Sequence, residues 1–145
     1  MTNIVRDGAI VQIKDANGKD IPLVVYGPTA WNRGCHAEGI CTFSASNGSH
    51  AEGVQTQAVG YASHAGGVGT RAEKEGQTAI GRYNSPDPNA KLIVGYGTGM
   101  EDEKRFNCFT TGKNNAGQAY ITVGTTTLTE TQLIKILNFI DSIEY

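Results

Sequence analysis

A run of six residues, Gly34-Cys35-His36-Ala37-Glu38-Gly39, returns as Gly48-Ser49-His50-Ala51-Glu52-Gly53 and as Ala62-Ser63-His64-Ala65-Gly66-Gly67. A looser copy follows as Gly76-Gln77-Thr78-Ala79-Ile80-Gly81, and the offset is fourteen residues each time. Self-similarity at a fixed period constrains architecture more than any single residue does. The rest of each unit keeps the register, with Thr42, Thr56 and Thr70 in one column and Ser44, Ala58 and Ala72 in another. Ser49, Ala51 and Gly53 alternate with His50 and Glu52, the period-two pattern of a strand. Each unit therefore reads as two short strands and two tight turns. That is one coil of a solenoid, whose backbone pairs with the coils above and below. So narrow an interior is expected to hold only Ser, Ala and Gly. At a stacking step of about 4.8 Å, the coils from Gly34 to Tyr83 rise about 15 to 20 Å.

Such a roll encloses methyls and hydroxyls and has almost no apolar core of its own. Composition agrees: of 145 residues only 39% are hydrophobic, while 19 are Gly without the every-third-residue period of collagen. The roll needs neighbours, and oligomerisation supplies them.

The last segment makes the same demand independently. Thr129-Glu130-Thr131-Gln132 has the spacing of a capping box, and Thr127-Leu128-Thr129-Glu130 fits as well. Beyond it Leu133, Ile136, Ile140 and Ile143 fall at a and d positions of two heptads. A helix of about sixteen residues is marginal alone in water. Ile at most of the a/d positions favours three or four strands over two. The smallest assembly that satisfies both roll and helix is an intertwined homotrimer, with the helix as its clamp. The competing reading packs the apolar stripe on the preceding strands of the same chain.

The regions around the roll read as follows. Ala9–Lys14 and Asp20–Tyr26 flank Asn17-Gly18, a hairpin signature, with Pro22 suited to an edge. Ser85-Pro86-Asp87-Pro88 is expected to stop the solenoid, and strand-like runs follow at Lys91–Tyr96, Arg105–Thr110 and Gln118–Val123. The expected organisation is a hairpin over 1–30, the roll over 31–84, a small distal β module over 85–126 and a trimerising helix over 127–145. The fold class is mainly β.

Several functions find no support in these residues. A net charge of −2 offers no basic stripe for nucleic acid. No apolar run has the length of a signal peptide or a membrane span, so a soluble cytosolic product without membrane insertion is expected. Cys35, Cys41 and Cys108 lack CxxC spacing and read as buried free thiols. Asn47-Gly48-Ser49 reads as a turn. Gly95-x-Gly97-x-Gly99 lacks the helix and the Lys-Ser/Thr of a phosphate loop, and Glu101-Asp102-Glu103 reads as a solvated loop.

The sharpest chemical feature is the column of His36, His50 and His64 beside Glu38 and Glu52. Rings of these residues in a trimer can hold a metal or an anion. Identical residues in successive coils also form ladders for structural reasons alone, and the column is read in that way, with no metal and no cofactor assigned. His in ladders does not make the converging pocket that catalysis needs, so the chain is not expected to be an enzyme. The Thr column raises the idea of a surface-binding solenoid, but its neighbouring columns are too charged for a flat face. Tyr96, Phe106, Phe109 and Tyr120 suit either sugar contact or the small core of the distal module, the core being the preferred reading.

The fourteen-residue Ser-His-Ala-Glu-Gly repeat resembles the left-handed parallel β-roll of trimeric autotransporter adhesin heads and of phage fibre proteins. Leu92–Gly99 followed by Arg105–Phe109 resembles a module that follows such rolls in tail fibres, and Thr127–Leu133 is similar to their closing helix. The resemblance implies a short, non-enzymatic virion fibre, assembled in the host cytoplasm. It would be a tail fibre or receptor-binding protein that meets a host surface glycan or protein, docked on another virion protein through its N-terminal region. A capsid-anchored head fibre or decoration protein is the alternative, and a glycan-active enzyme is the reading from a different class.

Overall fold

The computed structural model describes residues 13–14, 20–21 and 28–143. Within the expected hairpin, β1 (Ile13–Lys14) pairs antiparallel with β2 (Asp20–Ile21), Ile13 opposite Ile21. The Asn17-Gly18 turn and Pro22 lie outside the described residues.

The repeats form a parallel β-solenoid of about five turns. One wall is made of five-residue strands, β4 (His36–Ile40), β6 (His50–Val54), β8 (His64–Val68) and β10 (Thr78–Arg82). The other is made of the two-residue strands β3 (Thr29–Ala30), β5 (Phe43–Ser44), β7 (Gln57–Ala58) and β9 (Arg71–Ala72). Every step of both ladders is parallel and advances one repeat, His36 opposite His50 and Phe43 opposite Gln57.

The solenoid does not stop at the Pro86/Pro88 segment. β11 (Ala90–Tyr96) lies parallel to β10 with Thr78 opposite Leu92 and Ala79 opposite Ile93, the same offset again. It then serves as the template for an antiparallel meander of β12 (Asn107–Lys113), β13 (Ala119–Val123) and β14 (Thr126–Thr129). Roll and meander thus share one eight-stranded sheet. A strand read as the start of a separate module is a fifth coil whose sequence has left the consensus.

The core is a column of methyls: Ala51, Ala65 and Ala79 from the long strands and Ala58 and Ala72 from the short ones are all fully buried. Ile93 continues the alanine column and is also fully buried, so a larger side chain fills the roll where it ends. The expectation of a Ser, Ala and Gly interior needs correction in two places. Thr42, Thr56 and Thr70 are buried as well, which removes them as a surface for any external ligand. Gly39, Gly53 and Gly67 do not fill the interior. Their φ values of 106°, 102° and 109° are open only to glycine, and a methyl on each would strike the carbonyl oxygen of the next glycine in the column.

The distal end of the roll is closed by side-chain amides and one guanidinium. Asn84, in the column of the threonines, accepts from Arg71 N at 2.7 Å and donates to Arg71 O at 3.0 Å, standing in for the strand that would follow β9. Gln77, in the column of Ser49 and Ser63, accepts from Glu73 N and donates to Asp87 O and Ala90 O, each at 2.8 Å. Asn107 repeats the device on Ser85. Arg105, 3% exposed, donates from Nη1 to Gly69 O at 2.8 Å and Asn84 O at 3.2 Å. Burial and the charge of Arg71 lower its pKa. These groups satisfy the backbone that a truncated ladder leaves open.

After β14 the chain enters α1 (Glu130–Asp141), twelve residues where about sixteen were expected. Thr129 is the N-cap, and Gln132 Oε1 accepts its backbone N–H at 2.9 Å, which selects the later of the two capping boxes. Thr127 belongs to β14 instead.

Other readings resolve at this level. Cys35 and Cys41 are half-buried and Cys108 is exposed; all three are free, as expected, but none is fully buried. Of the four aromatics assigned to the distal core, Tyr120 is buried and Phe109 half-buried, while Tyr96 and Phe106 stand on the surface. Glu101, Asp102 and Glu103 are exposed, as a solvated loop requires.

Candidate functional site

Outward-facing side chains on the long wall of the roll include the His–Glu ladder. In a strand, residues two apart share a face, so His36 and Glu38 on β4 lie beside His50 and Glu52 on β6. The imidazoles follow one another in line: ring centroids of His36 and His50 are 4.9 Å apart and edge-to-face at 83°, those of His50 and His64 4.9 Å apart and tilted at 54°. His36 Nε2 lies 3.3 Å from Glu38 Oε2, and His64 Nε2 lies 3.4 Å from Glu52 Oε1. The ladder is solvent-facing in the single chain, more so at His36 than at His50 and His64.

Pairing along the ladder is incomplete because Gly66 stands where a third glutamate would complete the column. Glu52 serves His64, and His50 Nε2 is buried 4.0 Å from Glu52 Oε2 without a hydrogen-bond partner. His36, Glu38 and His50 bring one donor atom each within 4.8 Å of one another.

The second feature is α1. Leu133 is half-buried; Ile136 and Ile140 are 44% and 42% exposed, and Ile143 lies in the turn beyond the helix, also exposed. Ile134, Leu137 and Phe139 are exposed too, and no helical side chain is buried. The strands of the same chain leave most of this stripe exposed, Leu133 being the member they partly cover. Its contact with the sheet is a groove of about 340 Å³ shared by Thr111, Ile121, Leu133, Ile134 and Leu137. The apolar surface runs on along the meander through exposed Ile121 and Val123.

A third feature went unread in the sequence. On the opposite face of the meander, a cleft of about 260 Å³ is lined by Asp87, Asn114, Tyr120, Thr122, Thr127 and Thr129 among others. Tyr120 donates its hydroxyl to Asp87 Oδ2 at 2.8 Å, and Thr122 and Thr127 share a hydrogen bond of 2.8 Å. Burial and the bond to Asp87 push the Tyr120 phenol up to about 12. Threonines at alternate positions of adjacent strands were the available signal, hidden because the pairing of β13 with β14 is not readable from either strand alone.

Among the described residues, no helix is long and apolar enough to cross a membrane. Comparison of the chain with family models, with curated proteins and with solved structures gives no match.

Proposed function

We propose that this chain is a non-enzymatic structural and adhesive fibre subunit of a phage virion, acting as a homotrimer. In this reading it is a tail fibre or receptor-binding protein. The N-terminal region docks on another virion protein, and the meander end meets a host surface glycan or protein.

The observation that carries the reading is the exposure of α1. A twelve-residue helix with six of its positions occupied by Leu, Ile or Phe, none of them buried, is not stable as a solitary element in water. Leu133, Ile136 and Ile140 present a seam that a copy of the same helix complements, and isoleucine-rich seams favour three strands. The fourteen-residue roll, with its resemblance to fibre modules, supports the virion setting. The cleft of hydroxyls, two amides and a carboxylate supports a polyhydroxylated ligand such as a glycan.

Mass in solution tests the assembly: the expected particle is three times the 15.4 kDa chain at micromolar concentration, and a clean monomer overturns it. Immunolabelling of negatively stained particles tests the setting, and label on the capsid rather than the tail selects a head fibre.

A further inference from the structure

We propose that His36, Glu38 and His50 form a binding site for a divalent transition metal of the zinc type. The inference concerns a single chain and does not depend on the trimer. It also departs from the purely structural reading of the ladder.

Parallel pairing in register puts the HxE pair of one strand beside the His of the next, a set of two imidazoles and one carboxylate on one face. Such a set, with the remaining positions left to water, suits borderline metals that accept both nitrogen and oxygen. Zinc with ligands at about 2.1 Å holds its donors about 3.4 Å apart. The His36–Glu38 pair already stands at 3.3 Å, and the donors of all three residues lie within 4.8 Å. Closing that remainder needs side-chain rotation only, because His36 and Glu38 are exposed and free to move.

The second observation is the orphaned nitrogen. His50 Nε2 is shielded from solvent and has no hydrogen-bond partner among the described residues; Glu52 reaches towards it only to 4.0 Å, while its other oxygen lies 3.4 Å from His64. A polar atom that has lost hydration without gaining a partner is a cost to the fold, and drawing the ring into coordination changes its surroundings. The unpaired imidazole of His50 lies beside a second imidazole and a carboxylate, one donor atom of each within 4.8 Å of the others.

The test is calorimetric titration of Zn²⁺ into the full chain, freed of any histidine tag and stripped with chelator, with Co²⁺ absorption as a spectroscopic reporter. One zinc per chain is expected at micromolar affinity. His36→Gln and His50→Gln should each weaken it by about tenfold or more, Glu38→Gln by less, and His64→Gln by little. All four side chains are at least partly solvent-facing, and circular dichroism of each variant establishes that the roll is intact. No saturable zinc binding by the unaltered chain overturns the proposal. So does binding that survives His36→Gln and His50→Gln, or that is lost in His64→Gln alone.

Discussion

The roll and the terminal helix solve opposite problems with opposite residues. In the roll, side chains are small and the backbone does the work: each inner strand pairs on both edges, alanine and threonine columns are sealed, and the distal end is closed by Asn84, Gln77 and Arg105. In α1 the apolar side chains are large, and among the described residues none of them is buried. A solenoid held chiefly by its backbone ladders is poor in buried apolar area. The helix carries apolar area that the described residues leave exposed, and the proposed homotrimer would bury it.

Substitutions sharpen or break this contrast. The largest effect is expected from Gly53→Ala, which combines a φ of 102° with a clash against the Gly67 carbonyl. A loss of about 3 kcal/mol or more in urea denaturation is expected, whereas an alanine at exposed Lys135 of the helix should leave the same curve unmoved. Next, Ile136→Asn with Ile140→Asn should lower the solution mass to that of one chain while the β signal in circular dichroism persists. Loss of that signal would mean the helix holds the roll together, and the two regions would not be separable.

Asn84→Ala removes both bonds to Arg71 and leaves buried backbone groups unpaired, a loss of about 2 kcal/mol by thermal melting. Tyr120 tests the meander by pH. Its pKa is raised to about 12 in the folded chain from an ordinary 10.0, so the fold favours the protonated phenol. The associated stability is complete below pH 10 and falls as pH rises towards 12. Tyr120→Phe should flatten that part of the stability profile, and the last tyrosinate absorbance step should disappear with it. The smallest effect is expected at Ala62, whose φ of 50° is adopted by glycine at the equivalent Gly48 and Gly76. Ala62→Gly should stabilise the roll by about 0.5 to 1 kcal/mol in the same melts.

Much of the roll was legible because its information is periodic. A column of alanines at a spacing of fourteen can only stack, and Ser49 and Ala51 against His50 and Glu52 declares which residues share a face. The fifth coil was hidden because Leu92 and Ile93 replace the Thr and Ala of the preceding unit; it is recognised in space by the parallel backbone pairing of β11 with β10, which does not depend on side-chain identity. The threonine column was visible as a column, but its direction was not. A β-branched hydroxyl fits a narrow interior by its methyl and fits solvent by its oxygen. The residues of the proposed metal site were named from the sequence only as a repeat ladder with no metal assigned, while the unpaired nitrogen of His50 depended on side-chain positions that the sequence does not give.

The fourteen-residue repeat by itself determined a solenoid, its register and the chemistry of its columns, since a fixed period under backbone pairing admits one stacking arrangement. The amino-acid order also determined that a capped apolar helix follows. Only the tertiary structure decided which columns are sealed, where the roll ends and that the helix remains uncovered. Those outcomes depend on side chains distant in sequence competing for the same space and the same hydrogen-bond partners, a competition that no local pattern records.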